Sequence, residues 1–184
     1  YHWENEGAIF NGYILDFLSK WKEMRATEPK EYSVQQINEL EKQYAYDGAT
    51  VNMEKDNPHL IVIMDEAFAD LNVIGEISTN IDVTPFISSM KKNVISGYAL
   101  ASVYGGNTAN SEFEFLTGNT MAWLQPNTVP YQQYIHYPTY SAASYLKSHY
   151  GYRCIAMHPY HSDGWNRPNA YQLLGFDESL YEEA

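Results

Sequence analysis

A glycine pair followed by a hydroxyl opens the stretch Gly105-Gly106-Asn107-Thr108-Ala109-Asn110-Ser111-Glu112-Phe113-Glu114-Phe115. Thr108 falls where a helix should begin, and the free N–H groups of a helix N-terminus favour phosphoryl oxygens. A threonine hydroxyl is a weak nucleophile until a metal or a base makes it alkoxide-like. Upstream, the apolar run Leu60-Ile61-Val62-Ile63-Met64 stops abruptly in Asp65-Glu66. The Glu66 carboxylate supplies oxygen of the kind that Mg²⁺, Mn²⁺ or Zn²⁺ accepts. Downstream, His158, Trp165, Asn166 and Arg167 share a polar, aromatic segment. An arginine fork grips phosphate by two parallel hydrogen bonds, an imidazole donates to a phosphoryl or hydroxyl oxygen, and an indole can wall a small polyol. Together these are parts of a metal-assisted phosphoryl-transfer site.

Each part also has a plainer reading. Asp65 and Glu66 could simply favour the positive end of a following helix. Thr108 could be an ordinary N-cap after a glycine turn. The segment from His158 to Arg167 could be a surface loop anchored by Trp165. The glycine pair is not a nucleotide-binding phosphate loop, because Gly-x-x-x-x-Gly-Lys-Ser/Thr is absent. His161 and Asp163 form a weak metal-type pair, and His59, His136 and His149 read as structural or solvent-facing.

The elements that must position these residues follow from pattern. An apolar helix is expected over roughly Ile9 to Met24. Ser33 caps a second helix with Gln36 placed to complete a capping box, and Ile37, Leu40 and Tyr44 mark its apolar face, with Asp47-Gly48 as its end. The run 60–64 lacks alternation and predicts a strand buried on both faces. Thr84-Pro85 opens a helix, Val94 to Ser102 reads as a second strand, and Thr108 to Leu116 reads as a helix ending near Gly118. Ser141 to Tyr150 is helical up to Gly151, Tyr152 to Met157 is a third strand, and Pro168 to Leu174 is a short helix closed by Gly175. Strands alternating with helices predict an α/β fold in one domain. Ligands in such sheets sit beyond the carboxyl ends of the strands, where Asp65-Glu66, Thr108 and His158 all fall.

Composition narrows the function classes. The 184 residues carry a formal net charge of −12, which argues against a nucleic-acid partner. An anionic substrate then needs local positive charge from a metal, Arg167 or a helix N-terminus. The single cysteine, Cys154, excludes an internal disulfide and a zinc-type cysteine cluster. No apolar run of about 18 residues is present, so nothing in the sequence spans a membrane. The chain opens on Tyr1 rather than Met, which predicts a piece of something longer.

Pro58 through Phe68, Gly105 through Phe115 and His158 through Arg167, taken in this order, resemble the lipoteichoic acid synthase family. These are phosphoglycerol transferases of the alkaline phosphatase/sulfatase superfamily. Thr84-Pro85-Phe86, Val129-Pro130-Tyr131 and Tyr32-Ser33 fit the connecting segments, and the resemblance covers roughly residues 30 to 182. It implies a mainly parallel sheet flanked by helices, present here as the N-terminal part of the catalytic domain over residues 31–184. Residues 1–30 would be a juxtamembrane helical lead-in. It implies Glu66 as a metal ligand, Thr108 as nucleophile and metal ligand, and His158, Trp165 and Arg167 as contacts to glycerol phosphate. The implied cofactor is Mn²⁺ or Mg²⁺ in preference to Zn²⁺. The implied donor is a phosphatidylglycerol-like lipid and the acceptor a polyol-phosphate chain. The implied setting is a bacterial cell membrane, with the catalytic domain outside it and transmembrane helices ahead of this chain.

Two departures qualify the resemblance. The family completes its metal site with an adjacent Asp-His pair, and no such pair occurs in this sequence. An incomplete metal site, little turnover by the 184 residues alone, and self-association through uncovered apolar faces are therefore expected. Asp65 stands where relatives often carry an uncharged residue. Cys154 is followed by Ile-Ala-Met-His, not by the Cys/Ser-x-Pro-x-Arg pattern that matures to formylglycine, so sulfate-ester hydrolysis is not expected. A phosphodiesterase, a transferase of another head group, and a non-catalytic cell-envelope binding module remain as alternatives.

Overall fold

The chain is described by a computed structural model over residues 6–23, 28–44, 58–65, 68–75, 77–103, 106–125 and 128–182. Its helices are α1 (Glu6–Glu23), α2 (Val34–Tyr44), α3 (Pro85–Ser89), α4 (Thr108–Thr117), α5 (Pro130–Gln133), α6 (Ala142–Tyr150) and α7 (Arg167–Leu173). Short 3₁₀ turns cover Leu71–Ile74, Met121–Trp123 and Gly164–Asn166. Strands β1 (Ile155–His158) and β2 (Glu178–Tyr181) pair in parallel, with Ile155 opposite Glu178 and His158 opposite Tyr181.

Side chains take up orphan backbone groups at the starts of two of these helices. Ser33 Oγ accepts from Gln36 N at 3.1 Å and caps α2. The expected stop of α2 at Asp47-Gly48 lies outside the described residues. Proline takes the first position of α3, yet Thr84 makes no side-chain cap bond there. Ser141 and Ser144 form a full capping box on α6, which ends at Gly151. Helix α1 carries a break at Gly12, with φ of 74°.

The core gathers around α4, α5, α7 and β1. Ala109 and Phe113 of α4 meet Tyr131 and Ile135 at α5, Ala156 of β1, and Ala170, Tyr171 and Leu174 at α7. Two junctions hold this body together. Ser141 Oγ donates to Leu174 O at 2.5 Å, tying the start of α6 to the end of α7. Gly175, at φ +94°, passes so close to α6 that an added Cβ would stand 2.9 Å from Ser144 Cβ. Only glycine meets both conditions without strain.

Two sequence expectations fail. The runs 60–64 and 94–102 are not strands, and Ile61, Ile63, Ile95 and Leu100 are exposed rather than buried. A strand needs a hydrogen-bonded neighbour, and among the described residues neither run has one. The run 60–64 is nonetheless extended with a period of two. Leu60, Val62 and Met64 turn towards β1, while Ile61 and Ile63, at 80% and 81% exposure, turn away. Its start is tethered by Tyr152 Oη, which donates to Pro58 O at 2.7 Å. The expected third strand is present but shorter, and His158 is its last residue instead of following it.

Candidate functional site

Gly106 (φ 117°) and Asn107 (φ 59°) turn the chain sharply into α4. A glycine suits the first of these positions because a side chain rarely tolerates that φ. Asn107 is the N-cap and Thr108 the first helical residue, so the ordinary N-cap reading of Thr108 does not hold. Among the described residues the Thr108 hydroxyl takes no hydrogen bond. Asn110 fixes this helix start from behind, donating from Nδ2 to Thr128 O at 2.8 Å while 4% exposed.

Thr108 lines a cavity of about 550 Å³ between the 60–65 segment, α4, α6 and β1. His158 at the end of β1 and Asp65 at the end of the extended run line it too, as does Glu112 one helical turn beyond Thr108. The remaining wall is mainly apolar, with Leu146 of α6 and Phe176 contributing. A cavity with an apolar wall and a few convergent polar groups is the usual form of a ligand site. Glu66 lies outside the described residues. Thr108 and Asp65 present oxygen donors of the kind a hard divalent cation takes. Among the described residues no cluster of three or more His, Cys, Asp or Glu side chains forms a metal cage. A full coordination shell therefore needs ligands beyond them.

Trp165 and Arg167 do not line this cavity. Trp165 adopts φ 60° and ψ 18° within the turn Gly164–Asn166 and packs half-buried on the core. Asn166 follows at φ 59° and donates from Nδ2 to Tyr131 O at 2.8 Å. A left-handed tryptophan is an uncommon and strained state, held here by packing and by that hydrogen bond. Arg167 opens α7 with its side chain 3% exposed. Its Nη2 donates to Glu112 Oε1 at 2.7 Å, and its Nε lies 3.3 Å from both Glu112 oxygens. Tyr171 Oη donates to Glu112 Oε2 at 2.9 Å.

The electrostatics of this cluster are consistent with its contacts. Burial alone would lower the Arg167 pKa, but hydrogen bonding and the charge of Glu112 raise it above its ordinary value. Burial first, and then the charge of Glu112, push the Tyr131 and Tyr171 phenols well above their ordinary range. Both phenols therefore stay protonated at any physiological pH.

The sequence reading missed Glu112. Ser111-Glu112-Phe113-Glu114 reads as two acids flanking a core phenylalanine, and the only hint is the four-residue step from Thr108. The neighbouring Glu114 does a different job. It accepts from Met121 N at 2.6 Å and from Thr120 Oγ1 at 3.2 Å, closing the turn after α4.

Residues 58–184 match the family described as Sulfatase. A putative cyclic beta-1,2-glucan modification protein of Rhizobium meliloti (strain 1021) is 32% identical over 180 residues, covering 98% of this chain. The chain spans 27% of the length of that relative. Among solved structures, the lipoteichoic acid synthase LtaP from Listeria monocytogenes matches 44% of this chain and 19% of its own. That match has 22% sequence identity and a TM-score of 0.38.

Proposed function

The chain belongs to the sulfatase family, and from that premise we propose that it carries the nucleophile of a metal-dependent phosphoglycerol transferase. The observation that carries this reading is the Thr108 hydroxyl. It stands at the first position of α4, is not engaged as a cap, and lines a cavity with Asp65 and His158. In the proposed reaction Thr108 Oγ attacks the phosphorus of a phosphatidylglycerol-like donor. The Oγ–P bond forms, the P–O bond to diacylglycerol breaks, and the threonine proton passes to a base or to the leaving oxygen. An acceptor hydroxyl then takes the glycerophosphoryl group and restores the threonine. His158, which lines the same cavity, would donate to a phosphoryl or hydroxyl oxygen. When bound, Mn²⁺ or Mg²⁺ held by Thr108 and Glu66 would acidify the hydroxyl and neutralise phosphoryl charge.

A threonine cannot mature to formylglycine, so family membership does not imply sulfate-ester hydrolysis here. The name of the Rhizobium relative favours a hydroxyl of a cyclic β-1,2-glucan as acceptor over a polyol-phosphate chain. The proposed setting is a cell membrane with the catalytic domain outside it. Among the described residues no helix is long and apolar enough to cross a membrane, so the anchor would lie elsewhere in the protein.

The test is diacylglycerol release from phosphatidylglycerol by the full-length protein and its Thr108→Ala variant. The expected loss is about a thousandfold or more, as for removal of a covalent nucleophile. Undiminished release by the variant overturns the reading. Cyclic glucan and a polyglycerol-phosphate primer, offered separately, identify the acceptor by the glycerophosphoryl mass gained.

A further inference from the structure

We propose that Glu112 is a positioning residue of this site: it locks Arg167 to the helix that carries Thr108. The inference rests on the phosphothreonine reading above and deepens it.

Thr108 and Glu112 lie one turn apart on α4 and line the same cavity. Behind them, Arg167 is the first residue of α7, reached after the strained turn at Trp165 and Asn166. The Glu112 carboxylate is the bridge between these two helix starts. Both of its oxygens are committed, Oε1 to Arg167 and Oε2 to Tyr171 and Arg167. A carboxylate whose two oxygens are taken up by a guanidinium and a phenol has little capacity left for a metal. Its geometry suits holding rather than reacting.

Nε and Nη2 of Arg167 belong to Glu112, and Nη1 lies beside Gly164. Arg167 itself stands behind the cavity wall, so the grip acts by fixing where α7 lies against the helix that carries the nucleophile. The place and tilt of Thr108 would then be set before the substrate arrives, which is how orientation lowers a barrier.

The test is kinetic and uses the full-length enzyme with phosphatidylglycerol as donor. Glu112→Asp keeps the charge but shortens the reach by one methylene. It should lower kcat about tenfold, with KM within about threefold and thermal midpoint near wild type. Glu112→Gln and Arg167→Gln, singly and together, complete a cycle. The double variant should be no slower in kcat/KM than the slower single, because the two residues act as one unit. Should Glu112→Gln fail to fold, Glu112→Asp and the Arg167→Gln comparison still decide. Wild-type kcat in folded Glu112→Asp, or losses that multiply in the double variant, overturn the inference. Thr108→Ala run alongside separates the two levels. Full activity there sinks the phosphothreonine reading and this inference together. An inactive Thr108→Ala beside a fully active Glu112→Asp sinks only the role given to Glu112.

Discussion

Glu112 and Arg167 form an ion pair with side chains 12% and 3% exposed, so neither charge is well served by water. Removing one partner strands the other. Arg167→Met should lower the unfolding free energy by about 3–5 kcal/mol, read from urea denaturation, with part returned by adding Glu112→Leu. Cys154 behaves differently. Burial first, and then the nearby Asp177 charge, raise its thiol pKa, and its Sγ donates to Ala143 O at 3.4 Å. Alkylation by iodoacetamide at neutral pH should therefore be slower than for a free cysteine and should accelerate on unfolding. At this scale the sequence was readable where a residue stands in a distinctive order. Order is what singles out Thr108 and His158, and both line the cavity. Glu112 escaped because its partners come from α7, far along the chain, and one acid among several on a helix carries no local mark. The burial of Arg167 escaped for the same reason, since its charge predicts exposure until the carboxylate opposite is known.

Helix α6 and the segment after α7 illustrate what local chemistry does specify. The capping box at Ser141 bonds its own backbone, Gly151 takes the left-handed stop, and a proline's fixed φ suits the start of α7, so these helices lie close to where expected. The strands did not, because pairing is a property of two segments and cannot be read from one. Ser141 has a second role that no local rule announces, its hydrogen bond to Leu174 O. Ser141→Ala should thus cost more than a lost cap, about 2–3 kcal/mol by denaturation. Gly175→Ala should cost a comparable 2–3 kcal/mol or more, through both its φ and the contact with Ser144. Asp177 joins α6 to β1. It accepts from Lys147 Nζ and from Cys154 N, and these bonds hold its pKa below the ordinary value. A depressed carboxylate contributes stability above its unfolded pKa of about 3.9 and loses it as pH falls through the folded value. The thermal midpoint should drop below about pH 4, and Asp177→Asn should flatten that part of the profile.

At the scale of the whole molecule, the described residues leave much apolar surface open. Ile61, Ile63, Ile95 and Leu100 stand open, as do Phe10 and Tyr13 of α1. Surface of this kind draws partners together. The 184-residue chain alone should sediment as a concentration-dependent oligomer and bind a hydrophobic dye, and a monodisperse, dye-silent monomer would contradict this. The α/β class and the family were legible at this scale because composition and motif order are global properties. The extent of cover was not, because it depends on what else packs against these faces. One long-range contact bears on how the chain reaches its folded state. The Tyr152–Pro58 hydrogen bond closes a separation of 94 residues, whereas the capping bonds of α6 and the turn after α4 close within a few. Loop-closure entropy is met last for the longest loop. The body from α4 to β2 should therefore assemble first and the 58–65 segment dock onto it afterwards. In a refolding experiment Tyr152→Phe would then leave the fast phase untouched and alter only the slow one.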